Sequence, residues 1–228
     1  MADAFNLKWD QSGEREYELG VSRGVLFPMA SGEYQDAVAW NGLTSVEENP
    51  DGADINDIWA DNIKYASFQS PENHKGTIKA YMFPDEFYPC NGMVSPSGMS
   101  GLVYGGQKRA AFGLCYRTEI GTDTDENAGY KLHFVYNCKV SPTSRTHNTK
   151  NENPDPEEMS WEYSSTPVPV EGIDGVTQTS IVEVNSMDFD DAKMAALEEY
   201  VYGKAATGST EAVAGKMPSP GQIKTLLS

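Results

Sequence analysis

Apolar and polar residues alternate along much of this chain. Over residues 109–117, Ala110, Phe112, Leu114 and Tyr116 share one parity, while Arg109, Ala111, Gly113, Cys115 and Arg117 take the other. Residues 131–140 repeat the pattern, with Leu132, Phe134, Tyr136, Cys138 and Val140 set against Lys131, His133, Val135, Asn137 and Lys139. A side-chain period of two is that of a strand with one face buried. The residues between, 121–129, are Gly, Thr, Asp, Glu, Asn and Ala, so the two strands are expected to form a hairpin. Further strands are expected at 17–21, 37–46, 63–68, 77–83, 159–165 and 176–184. In the 159–165 strand, Met159, Trp161 and Tyr163 share a face.

The period changes once. Met194, Leu197 and Val201 recur at helical spacing, and Ala195 and Ala196 favour a helix, which predicts one at 190–202. Asp188 and Asp190 stand where N-terminal caps belong, and Gly203 follows the last turn. Residues 204–216 are small and polar, a composition that predicts a flexible connector. The tail from Pro218 onwards reads as a short amphipathic docking segment, to be seated on a sheet or a neighbour. The expected organisation is one β domain over 1–203 with its flanking helix, followed by the connector and docking segment at 204–228.

Charge narrows the function. Lys+Arg 17 against Asp+Glu 34 gives a net charge of −17, which disfavours phosphate-seeking nucleic-acid binding and anionic membrane surfaces. No apolar run is long enough to span a bilayer. The first nine residues lack the basic-then-apolar order of a secretory signal, so synthesis in the cytoplasm is expected. Cys90, Cys115 and Cys138 lack metal-site spacing and are read as reduced, buried thiols.

Candidate chemistry is sparse. Asp123-x-Asp125-x-Asn127 begins like a calcium loop, but Ala128 and Phe134 replace the glycine and the bidentate glutamate that such a loop requires. It is read as a solvated hairpin tip. His74, His133 and His147 show no metal-ligand spacing. Gly105-Gly106-Gln107-Lys108 is too short for a phosphate loop, and no serine has the setting of a nucleophile elbow. Neither catalysis nor a cofactor is expected.

Several segments resemble the major tail proteins of long-tailed, siphovirus-type bacteriophages of Gram-positive hosts. They are Gly20-Val21-Ser22-Arg23-Gly24-Val25-Leu26-Phe27-Pro28-Met29, Val38-Ala39-Trp40-Asn41-Gly42-Leu43-Thr44-Ser45-Val46, and Trp59-Ala60-Asp61-Asn62-Ile63-Lys64-Tyr65 with the later Tyr81-Met82-Phe83-Pro84-Asp85-Glu86-Phe87. Phe112-Gly113-Leu114-Cys115-Tyr116-Arg117-Thr118-Glu119-Ile120-Gly121, Gly129-Tyr130-Lys131-Leu132-His133-Phe134-Val135-Tyr136, Ser160-Trp161-Glu162-Tyr163 and the helix through Gly203 continue the likeness in the family's order. Some relatives append an immunoglobulin-like domain, and none is expected in the residues after Gly203.

The resemblance implies a mainly β fold, two packed antiparallel sheets with one flanking α-helix. Such subunits close into six-membered rings that stack into a tube, the virion's channel for DNA. The implied partners are copies of the chain, the tape-measure, terminator and distal tail proteins at the tube ends, and DNA passing through the lumen without specific binding. The residues themselves add assembly candidates. Within 41–62, an expected extended arm, Glu47 and Glu48 are acidic, while Ile55, Ile58 and Trp59 need burial somewhere. On the 109–140 hairpin, Arg109, Arg117, Lys131, His133 and Lys139 form an expected basic face that meets a neighbour's acidic loops. The alternative is an acidic β-sandwich binding module whose Trp9, Trp40, Trp59 and Trp161 stack on a glycan.

Overall fold

The computed structural model describes residues 7–70, 72–99, 101–149, 152, 156–208 and 211–228. The fold is mainly β, built on a nine-stranded antiparallel sheet with two helices. Its strands begin with β1 (Glu16–Ala30), β2 (Val38–Trp40) and β3 (Leu43–Glu48), and the two-residue strand Glu33–Tyr34 pairs with the end of β1. A separate hairpin follows, of β4 (Ile55–Ala60) and β5 (Ile63–Gln69). The main sheet then resumes with β6 (Lys75–Ala80), β7 (Phe112–Thr122), β8 (Gly129–Val140), β9 (Met159–Ser165) and β10 (Ile181–Asn185). The helices are α1 (Asp191–Tyr202) and α2 (Pro220–Leu227). The main path runs β1-β7-β8-β9-β6-β3, with β2 paired to β1 and β10 to β8.

The sheet curls until its ends face each other. Leu26 of β1 and Phe112, Leu114 and Tyr116 of β7 share one core with Ile78 of β6 and Trp161 and Tyr163 of β9. Trp40 anchors this core, its ring 5.8 Å from that of Trp161, with its indole N–H donating to the Met82 carbonyl at 2.9 Å. The two expected antiparallel layers are therefore the two arms of one bent sheet. The bend brings β3 against β1, where Gly24 permits the contact: a Cβ there would lie 3.0 Å from a Leu43 methyl and 3.2 Å from the Trp40 carbonyl.

The opposite face of β1, β7 and β8 is covered as well. Val25, Phe27, Cys115, Leu132, Phe134 and Tyr136 pack beneath Met194, Leu197 and Val201 of α1 and Ile223 and Leu227 of α2. This corrects the expectation of half-buried strands, since β7 and β8 lie between two apolar clusters. It also explains why Gly113 and Cys115 stand among their "polar" positions.

A bulge decides which residue of β8 faces which cluster. Leu132, Phe134 and Tyr136 point to the helices, yet Cys138 and Val140, of the same parity, lie in the other core. The pairing shifts between Phe112↔Cys138 and Leu114↔Val135, and Asn137 takes φ 46°. One extra residue reverses the alternation beyond it. At the same place β8 changes its outer partner, from β10 over Lys131–Val135 to β9 over Cys138–Val140. The bulge is where the sheet divides into its two layers.

α1 spans the predicted helix. Asp190 holds the cap position with extended backbone, but its side chain makes no capping bond, and Asp188 lies in a preceding 3₁₀ turn. Gly203 ends the helix at φ 83°. The tail forms a second helix that was expected only as a docking segment. Ser219 and Gln222 make a reciprocal capping box, with Pro220 at the first position. Tyr136 donates its hydroxyl to the Pro218 carbonyl at 3.1 Å, fastening this tail to the chain's own sheet. Within the connector, Gly203–Lys204 pairs with Val213–Ala214.

Candidate assembly surface

The hairpin β4–β5 stands apart from the main sheet and pairs only with itself. Asp61 and Asn62 occupy its turn at φ 50° and 62°, the left-handed pair that a two-residue hairpin loop requires. Below the turn, Asn56 faces Phe68, Ile58 faces Ala66 and Ala60 faces Ile63. These pairs put Ile58, Ile63, Ala66 and Phe68 on one face. The other face carries Ile55 and Trp59 beside the Asp57–Lys64 ion pair at 2.8 Å. Bonds from Lys64 and then Ser67 hold the Asp57 carboxyl below its ordinary value.

Nothing among the described residues covers these apolar residues. Ile55 is 69% exposed, Trp59 66%, Tyr65 73% and Phe68 57%. An isolated two-stranded ribbon is marginally stable in water, so an apolar ribbon of this kind calls for a partner. The sequence marks the second strand at 63–68 and an arm at 41–62 with Ile55, Ile58 and Trp59, but not that residues 55–60 are a strand paired with the second. The Asp-Asn turn between two apolar runs was the signal for it. Residues 43–48 belong instead to β3 of the main sheet, and Glu47 there pairs with Lys79 at 2.5 Å.

A second element without a partner among the described residues lies in the sheet itself. The first part of β1 pairs with β7 through Glu16–Leu19, while β2 covers its other edge only at Gly24–Leu26. Tyr17 and Leu19 are exposed on this stretch. An uncovered edge with exposed apolar side chains is a template for adding a strand.

The expected basic face does not exist as one surface. Arg117 lies opposite Leu132 on the helix side, where its guanidinium sits 3.8 Å from the Tyr130 ring centre and 3.9 Å from a Glu198 oxygen. Lys131 lies opposite Thr118 on the other side and bonds Glu18 at 2.7 Å. His133 is buried, stacked on Tyr116 with ring centres 4.6 Å apart. Glu48, expected on an acidic arm, accepts the Tyr116 hydroxyl beside that histidine. Arg109 precedes β7 and reaches the Asn91 carbonyl at 3.4 Å, and Lys139 is exposed. The basic groups of the sheet largely have acidic partners within the subunit.

The remaining motifs have local roles. Asp123 accepts the Gly13 N–H at 2.8 Å, and Asp125 accepts the Asn127 N–H at 2.9 Å, so the acidic tip is a turn that ties down the segment before β1. Trp40 and Trp161 are core residues, leaving Trp9 and Trp59 exposed. All three cysteines are free and buried, and burial pushes the Cys90 thiol up to about 12. No helix among the described residues is long and apolar enough to cross a membrane. No protein-family profile matches the chain, and no curated protein matches it significantly.

Proposed function

We propose that this chain is a structural subunit that polymerises into stacked, six-membered rings, forming the tail tube of a long-tailed bacteriophage. The reading assigns it no catalytic role. The observation that carries it is the projecting β4–β5 hairpin, whose apolar face has no partner among the described residues of its own subunit. The partner of that face is a second copy of the chain. Each copy carries both a projecting hairpin and an uncovered β1 edge. Identical subunits that offer two unlike surfaces join head to tail and close into rings when the rotation permits.

The sequence resemblance gives the assembly its identity, and the charge suits the task. A conduit for DNA has to let phosphates pass. A strongly basic wall repeated ring after ring would hold the polymer through released counterions, whereas a chain of net charge −17 avoids this. The other tail proteins would meet the tube only at its ends.

The test is microscopy of purified protein in negative stain, alongside a variant in which residues 53–71 are replaced by an Asn-Gly turn. The short Asp51–Gly52 and Glu72–Asn73 ladder already brings those ends together. Rings or tubes are expected from the natural chain, and folded monomers from the variant. A natural chain that stays monomeric at high concentration, as a glycan-binding module would, overturns the proposal.

A further inference from the structure

We propose that His133, Glu48 and Glu183 form a binding site for a divalent transition-metal ion of the zinc class. The three residues come from β8, β3 and β10, and their ligand atoms lie within 4.8 Å of one another. No spacing in the sequence reveals them, because the curl of the sheet alone brings residue 48 beside residues 133 and 183.

The imidazole carries the argument. The His133 side chain is only 6% exposed, and its Nδ1 is buried with no hydrogen-bond partner. The other nitrogen fixes the tautomer. Thr118 donates its hydroxyl proton to Glu18 at 2.6 Å, so its oxygen accepts from His133 Nε2–H at 2.9 Å. In the neutral ring, a proton on Nε2 leaves a lone pair on Nδ1. That lone pair faces carboxylate oxygens of Glu183 at 3.7 Å and Glu48 at 4.0 Å. Three acceptors directed at one another are unfavourable unless a cation lies among them.

The separations fit an ion better than direct bonds. Both exceed hydrogen-bond length. Two ligand atoms each about 2.1 Å from a tetrahedral zinc ion stand roughly 3.4 Å apart, which needs only small movements of two partly exposed glutamates. Charge agrees. The cluster holds Glu18, Glu48 and Glu183 against Lys131, three negative groups and one positive, so a net −2 surrounds the imidazole and attracts a cation. A nitrogen donor selects a transition ion over calcium or magnesium. Around the site, Thr118 orients the ring, and Tyr116 both stacks on it and donates to Glu48, as outer partners of metal-bound histidines do.

Chelator-treated protein should be titrated with Zn²⁺ by calorimetry and with Co²⁺ by visible absorption, in the natural chain, Glu183→Gln and His133→Phe. Glu183 is half exposed, so its variant tests the site without disturbing the core. Expected are one saturable equivalent and a cobalt–imidazole spectrum for the natural chain. Glu183→Gln should weaken binding on the order of tenfold or more, and His133→Phe should abolish the spectrum. Absence of saturable binding in the natural chain, or equal binding by the natural chain and Glu183→Gln, overturns the proposal.

Discussion

The backbone N–H of Asn137 donates to the hydroxyl of Tyr34 at 2.9 Å. Asn137 is the bulged residue of β8, so its amide has left the ladder with β7, and Tyr34 reaches across from beyond β1 to satisfy it. Burial pushes the Tyr34 phenol up to about 12, so it stays neutral, and its oxygen accepts this bond. Tyr34→Phe keeps the ring and strands the amide. The expected loss is about 1–3 kcal/mol, the cost of an unsatisfied buried donor. At the same bulge, Asn137→Ala should cost about 1–2 kcal/mol because of the left-handed backbone, while Asn137→Gly should be tolerated. Urea denaturation of the three variants checks both parts. Equal stability of the alanine and glycine variants would refute the role given to the bulge.

Arg117 reads as an interface residue in sequence but has its partners at home. Its guanidinium covers Tyr130 and faces Glu198, which Arg23 also approaches at 3.7 Å. Arg117→Glu sets two carboxylates together on a mostly buried face. The subunit should lose on the order of 2 kcal/mol, between exposed-pair and buried-pair values. Pairing it with Glu198→Arg should recover part of that loss, which a double-mutant cycle measures. A variant of natural stability that fails only to assemble would return Arg117 to the interface.

Asp123 ties the segment before β1 to the hairpin tip. The Gly13 N–H bond, opposed by burial and aided by Arg15, holds its carboxyl below the ordinary aspartate value of 3.8. A depressed folded pKa means that the tie contributes fully above the unfolded value and weakens as pH falls through the folded one. Protection of the Gly13 amide from exchange, relative to its intrinsic rate, should therefore fall below pH 3.8. In Asp123→Asn that acid-dependent step should be absent. An unchanged acid step in Asp123→Asn would show that another group controls this segment.

Strand content was legible where the chain obeyed a simple period. Met159–Ser165 and Asp191–Tyr202 lie where alternation and helical spacing put them. Alternation misled at β8, since parity is local and a single bulge inverts it. Residues 37–46 read as one strand but form two, because Gly42 turns the chain at φ 80° between Trp40 and Leu43. The tail helix was written in Ser219-Pro220-Gly221-Gln222, a capping box in a stretch too short for periodicity to mark.

The candidate surfaces divide in the same manner. Ile55, Ile58 and Trp59 stood out by sequence because apolar residues in a polar segment need burial, whatever the fold. The grouping of Arg117, Lys131 and His133 did not survive, because cross-strand register decides which side chains share a face. By itself the sequence determined the β class, the position of α1, the acidity and the apolar character of the hairpin, since these follow from residue type and local period. Only the tertiary structure decided that both faces of β7 and β8 are covered and that Glu48, His133 and Glu183 meet. Those contacts depend on how far the sheet curls and where it bulges, and long-range packing sets both.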